Sequence, residues 1–171
     1  MNMAATSWVR SYYPHMLEDE ARIWTRFLQT TELEFEKITY DVHLGQGVLP
    51  LPGEPDFMKA LKLAVTRKRV DAVAETAEDI WIFEVKPRIG MSALGQLVNY
   101  FELYQAEYHP TKAIMLAAIG ERQEPDIRAA FDLYAVNTSF FCRFIVASLI
   151  ESISHKKHFF NRDFQFFTCF S

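Results

Sequence analysis

Cysteine is nearly absent: Cys142 and Cys169 are the whole supply in 171 residues. Two such residues, far along the chain, build neither a disulfide framework nor a zinc site. A basic balance is missing too. The net charge is -4, whereas dedicated nucleic-acid binders are usually basic, so any DNA contact has to come from a local patch. Arg67, Lys68, Arg69, Lys86 and Arg88 supply the obvious one, the alternative being a solvated strand end. The histidines, His15, His43, His109, His155 and His158, show no metal-ligand spacing and read as surface or capping residues. No N-terminal run is apolar enough for a signal peptide. The stretch Phe140 to Ile150, interrupted by Arg143, falls short of the roughly 20 residues a membrane span needs.

What the chain does contain is apolar patterning. Hydrophobic residues make up 50% and charged residues 23%, the balance of a soluble globular protein, and the length suits a single core. Met16, Leu17, Ala21, Ile23, Trp24, Phe27 and Leu28 recur at helical spacing, predicting a helix from Pro14 to about Gln29, with proline in its first turn. Glu34 to Leu44 alternates like a strand that Gly45 and Gly47 end. Residues 46–55 are rich in glycine and proline and read as a loop. Asp56 to Val65 suits a short helix with Phe57, Leu61 and Ala64 on one face.

The chemistry lies between Arg67 and Tyr100. Arg67 to Glu75 and Ile80 to Lys86, joined by polar Thr76 to Asp79 and closed by Pro87, form the pattern of a β-hairpin. With Thr76 to Asp79 as the loop, Glu75 faces Ile80, and counting back sets Asp71 opposite Glu84. Opposed like charges are destabilising at such short range, so a compensating cation is expected, and hard oxygen ligands suit Mg²⁺ or Mn²⁺. Lys86 projects on the same face as Glu84 by alternation. The alternative is a solvated carboxylate pair with Lys86 as its surface partner. The apolar run Ile80, Trp81, Ile82, Phe83 and Val85 argues instead for a central strand buried on both faces, where charges are costly unless paired or used.

Beyond the hairpin, Ser92 is a candidate N-cap for a helix running to about Tyr108, which would bring Gln96 and Tyr100 to one face. Gly95 suits either the close approach of a phosphate or tight helix-to-sheet packing. Lys112 to Ile119 reads as a buried strand, Glu124 to Leu133 as a short helix and Tyr134 to Phe141 as a last strand. Residues 140–171 then change character, with Phe159, Phe160, Phe164, Phe166, Phe167 and Phe170 among few charges. Such a terminus is expected to fold onto its own core or to dock into a neighbouring subunit.

Asp71, a spacer, Glu84-Val85-Lys86 and a following helix with Gln96 and Tyr100 together resemble the PD-(D/E)XK, or restriction-endonuclease-like, nuclease superfamily. Gln96 to Tyr100 is similar to the Q-x3-Y motif of its RecB-related branch, and Val70 stands where the motif name has proline. Further patterns resemble a group of small phage-encoded proteins: Ile23 to Leu28, Tyr40-Asp41-Val42 with Gly45 and Gly47, and Ser92 to Leu97. The resemblance implies an α/β fold with a central mixed sheet flanked by helices, in the order α-β-β-β-α-β-α-β, over residues 1–139, with 140–171 as an extension. It implies that Asp71, Glu84 and the Val85 carbonyl hold Mg²⁺ or Mn²⁺, that Lys86 assists the attacking water, and that Gln96 and Tyr100 face the site and the DNA backbone. Arg69 and Arg88 join them as expected substrate contacts. The family's further acidic residue on the first helix is sought among Glu18, Asp19 and Glu20, of which Glu20 is the choice. The expected activity is hydrolysis of DNA phosphodiester bonds, in a host cytoplasm or in a virion. The alternative is a virion or assembly component, of head-tail connector type, contacting phage structural proteins or itself through the tail.

Overall fold

Strands β2 (Lys68–Glu75) and β3 (Asp79–Ile89) form the antiparallel hairpin around which the computed structural model is organised, and the structure describes residues 7–140. The remaining elements are α1 (Glu18–Thr30), β1 (Lys37–Leu44), α2 (Asp56–Thr66), α3 (Met91–Tyr108), β4 (Ala113–Gln123), α4 (Arg128–Leu133) and β5 (Val136–Phe140). This is the expected order with the short Asp56 helix inserted after the first strand. The protein is α/β, with one open, mixed sheet of five strands in the order β1-β2-β3-β4-β5. The β1–β2 and β2–β3 pairs are antiparallel, while β3–β4 and β4–β5 are parallel. Each parallel step needs a crossover, supplied by α3 and then α4.

β3 is the central strand, and its residues from Asp79 to Val85 are all buried. Helices on both faces explain this. On one face, Ile23, Trp24, Phe27 and Leu28 form the inner stripe of α1 and pack over Ala72, Ala74, Trp81, Phe83 and Val85. The Trp24 and Phe27 rings lie 5.0 and 5.3 Å from the Phe83 ring, and each such buried side chain contributes about 1.5–3 kcal/mol. On the other face, Leu94, Leu97, Tyr100 and Tyr104 of α3 pack on Val73, Ile80 and Ile82, with Phe131 of α4.

β1 and β2 break their alternation at the same level. Ile38 and Tyr40 pack towards α1, yet Val42 and Leu44 pack towards α3. Ala72 and Ala74 likewise face α1, while Val70 faces α3. The side-chain period of a strand is two, so both strands switch faces, at Asp41 and at Asp71. Asp41 adopts φ 55°, in the left-handed region, which non-glycine residues enter only at a cost.

Between β1 and β2 the chain makes an excursion through the 46–55 loop and α2. Its two ends are clasped together: Arg67 donates to the Gly45 carbonyl at 2.7 Å, and the Val48 N–H donates to Thr66 Oγ1 at 2.7 Å. α2 buries none of its residues, so Phe57 and Leu61 are exposed.

Several boundaries differ from the sequence reading. α1 starts at Glu18 rather than Pro14, because the Glu20 carboxylate accepts the Leu17 N–H and closes the first turn there. Gly90, not Ser92, precedes the first turn of α3. β3 and β4 each run on beyond their expected ends, held together by parallel pairing as far as Ile89 and Gln123. α4 is shorter than expected, starting at Arg128. The extension from residue 141 onward, with its expected docking role, lies outside the described residues.

Candidate active site

The register of the hairpin is the one its loop dictates. Glu75 pairs with Ile80, and the ladder continues through Ala74 and Trp81 and Val73 and Ile82 to Ala72 and Phe83. The next level belongs to Asp71 and Glu84, and there regular pairing gives way. Asp71 Oδ2 accepts the backbone N–H of Val85 at 2.8 Å, so a side chain replaces the ladder bond. A residue in a strand directs its N–H and C=O to the same neighbour, so the Val85 carbonyl is turned towards β2 at this opening.

Glu84 is 1% exposed, and neither of its carboxylate oxygens has a well-directed hydrogen bond. Lys86 Nζ stands 2.8 Å from Glu84 Oε1, an ionic contact rather than an aligned hydrogen bond. Burial, and then the charge of Asp71, push the Glu84 carboxyl up to about 7. Burial also pushes Asp71 up to about 6, against the pull of the Val85 N–H and of Lys86. For Lys86, burial opposes the charge, but Glu84, Asp71 and Glu20 outweigh it and raise the ammonium above the ordinary lysine value.

Glu20 reaches this group from the opposite layer. It lies four residues before Trp24, so the packing of Trp24 on Phe83 points it at the end of β3. Its Oε2 accepts the Leu17 N–H at 2.9 Å and its Oε1 takes Lys86 Nζ at 3.1 Å. Glu20 is 7% exposed, so the first turn of α1 serves both as a helix start and as one wall of the site. Its neighbours Glu18 and Asp19 are exposed.

Tyr100 is buried, and its hydroxyl donates to the Arg69 carbonyl at 2.8 Å while accepting Gln96 Nε2 at 3.0 Å. Burial and the Glu84 charge push this hydroxyl up to about 12. The pair therefore braces the β2 segment that leads into Asp71, and the Tyr100 hydroxyl is already committed within the protein.

The expected basic patch is mostly neutralised. Arg67 pairs with Glu107, Arg69 with Asp41, Lys86 with Glu20 and Glu84, and Arg88 with Glu124 at 3.5 Å. Among the described residues Lys68 alone of the five has no ion pair. Arg88 stands beyond Pro87 on the exposed end of β3, apart from the carboxylates.

Sequence reasoning passed over Asp41. It takes both the Nε and Nη2 of Arg69, at 2.7 and 2.8 Å, and also faces His15 and His43. Arg69 holds its carboxyl below the usual range in spite of partial burial. An aspartate inside an otherwise alternating strand was the available signal.

Among the described residues no group of three or more His, Cys, Asp or Glu side chains gathers as a metal-holding set. A cation here would rest on two carboxylates and a backbone oxygen. The donor set still fits a hard divalent ion: Glu84 is buried with its Oε2 lacking any donor, and Lys86 compensates only one side of the pair. No family model, curated protein or solved structure matches the chain. Among the described residues no helix is long and apolar enough to cross a membrane.

Proposed function

We propose that this protein is a Mg²⁺- or Mn²⁺-dependent hydrolase of DNA phosphodiester bonds, built on a restriction-endonuclease-like core of the PD-(D/E)XK kind. The observation that carries the reading is Glu84, a carboxylate 1% exposed whose Oε2 has no donor, level with a second, half-buried carboxylate and beside a held ammonium. Carboxylates are buried without such partners only at a cost of several kcal/mol, and perturbed pairs of this kind gather at functional sites. Asp71, Glu84 and the Val85 carbonyl would hold the cation, which when bound acidifies water and draws charge from a phosphate.

The chain's own residues do the rest. The Val85 N–H fixes the orientation of Asp71. Glu20 and Glu84 both hold the Lys86 ammonium, ready to stabilise the charge that grows on the phosphate oxygens. Gln96 and Tyr100 keep the Arg69-to-Asp71 segment in register from behind. The test is incubation of linear, nicked and single-stranded DNA with the protein in Mg²⁺ or Mn²⁺, beside Lys86→Ala. Cleavage by the native chain alone is expected; equal background from both would refute the reading.

A second reading, an assembly component on the same core, draws on the exposed apolar residues of α2, Phe57 and Leu61. A native chain that fails to cut DNA but forms concentration-dependent oligomers would favour it.

A further inference from the structure

Two of the five described non-glycine residues with left-handed backbone meet in one ion-pair cluster. Asp41 has φ 55° and His15 has φ 61°, conformations that cost of order 1–3 kcal/mol each and that persist where the surroundings enforce them. Asp41 grips Arg69 through two hydrogen bonds, at 2.7 and 2.8 Å. His15 Nε2 lies 3.3 Å from its Oδ2, and His43 Nε2 lies 3.4 Å from its Oδ1. Three basic side chains thus surround one carboxylate. They come from three places: the segment before α1, β1 and β2.

This group adjoins the site. Tyr40 pairs with Ala72 and Val42 with Val70, so Asp41 lies across from Asp71. Asp71 gives its carboxylate to the Val85 N–H of β3, while Asp41 gives its own to Arg69 of β2, two residues before Asp71.

We propose that Arg69, His15 and His43, assembled on Asp41, bind a backbone phosphate of the nucleic acid adjacent to the one that is cut. The proposal rests on the hydrolytic reading for its substrate class. Arg69 spends Nε and Nη2 on Asp41, which leaves Nη1 for an incoming oxygen. Each imidazole is held by Nε2, which leaves Nδ1. The side chains of His15, Arg69 and His43 are 53%, 35% and 27% exposed, while that of Asp41 is 20% exposed, so an anion meets nitrogen first. A transition metal on the two imidazoles and the carboxylate is disfavoured, because Arg69 already occupies both carboxylate oxygens. The two imidazoles approach Asp41 through close contacts rather than aligned hydrogen bonds. The neighbouring charges include Asp71, whose carboxyl feels that of Asp41, exposed Lys68 on β2, and Arg67, which is committed to Glu107.

The experiment is binding of a short fluorescent DNA duplex to the full chain in EDTA, where no cleavage intervenes, across a salt series. His15→Gln with His43→Gln is expected to weaken binding about tenfold. Arg69→Gln is expected to lower the salt slope by about one. Arg69→Lys, which keeps the charge and loses the fork, is expected to retain the slope with reduced affinity. Thermal unfolding of each variant establishes that it is folded. Folded variants that bind as the native chain does would overturn the proposal and leave the cluster as a brace. Native binding with this pattern but no cleavage in Mg²⁺ would sink the hydrolytic reading and spare the phosphate site. Cleavage with unaltered binding in the variants would do the reverse.

Discussion

Lys86 Nζ stands 2.8 Å from Glu84 Oε1, so the strand that buries the carboxylate also supplies, two residues on, the ammonium that compensates it. Removing the ammonium leaves an uncompensated buried charge. Lys86→Ala is expected to reduce DNA cleavage at least ~100-fold and to cost about 3 kcal/mol at pH 8. The cost should shrink at pH 5, where Glu84 takes up a proton instead. Denaturant unfolding at the two pH values checks this.

Glu84→Gln should separate stability from activity. The folded-state values of Glu84 and Asp71, about 7 and about 6, lie above the ordinary carboxylate values, so the folded chain binds more protons than the unfolded one. Their contribution is fully present below the unfolded values and is lost as pH rises through 6 to 7. Asp41, held low by Arg69 despite burial, works in the opposite sense and is lost in acid. The native chain without divalent cations should therefore melt at a lower temperature at pH 8 than at pH 5.5. Glu84→Gln should flatten that fall, gain about 1–3 kcal/mol at pH 8, and abolish cleavage. A steeper fall in the variant would contradict the assignment.

Addition of Mg²⁺ or Mn²⁺ should raise the melting temperature at pH 8 and do little at pH 5.5. Ligands must lose their protons before they hold a cation, and both carboxyls are largely protonated at the lower pH. Calorimetric titration should show protons released near neutrality. Equal stabilisation at both pH values would place the cation elsewhere.

Gly120→Ala tests the frame behind Lys86. A methyl group there would meet the Lys86 carbonyl at 2.5 Å and Ile89 Cγ1 at 2.7 Å. Gly120 pairs with Lys86 across the parallel β3 and β4, and a paired strand has little room to withdraw. A loss of about 2 kcal/mol is expected, with a fall in cleavage rate out of proportion to that loss. Thermal unfolding beside a single-turnover assay separates the two effects.

Tyr100→Phe removes a hydroxyl that joins α3 to the Arg69 carbonyl. The freed buried carbonyl should cost about 1–2 kcal/mol. Duplex affinity should change little if the hydroxyl acts only as a brace. A tenfold loss of affinity in a folded variant would show direct contact with the substrate.

The hairpin was legible because its constraints are local. A polar loop between two apolar runs fixes which residues pair, and that pairing brings Asp71 level with Glu84 without knowledge of anything distant. Glu20 was singled out through the resemblance; its place one turn before Trp24, whose burial sets the face of α1, is what brings it to Lys86. Asp41 was not legible, since a lone aspartate in an alternating strand signals a departure without announcing the left-handed residue or the face switch that goes with it. The fate of the basic residues was hidden as well. Glu107 and Glu124, which neutralise Arg67 and Arg88, lie far along the chain or past a crossover, so composition alone left those arginines free. Tyr100 was read as facing a substrate through the resemblance; helical spacing reports only the face it shares with Gln96 and says nothing about which hydrogen-bond partner takes the hydroxyl.

The clasp between Gly45 and Arg67 makes the excursion that contains α2 a stitch closed at its base. Its two ends meet through their own bonds, and no α2 residue is buried in the core, so its length is decoupled from the geometry of the sheet. New chain ends, or an inserted domain, placed near its tip at Gly53 should leave the strands, and the carboxylates they carry, where they are.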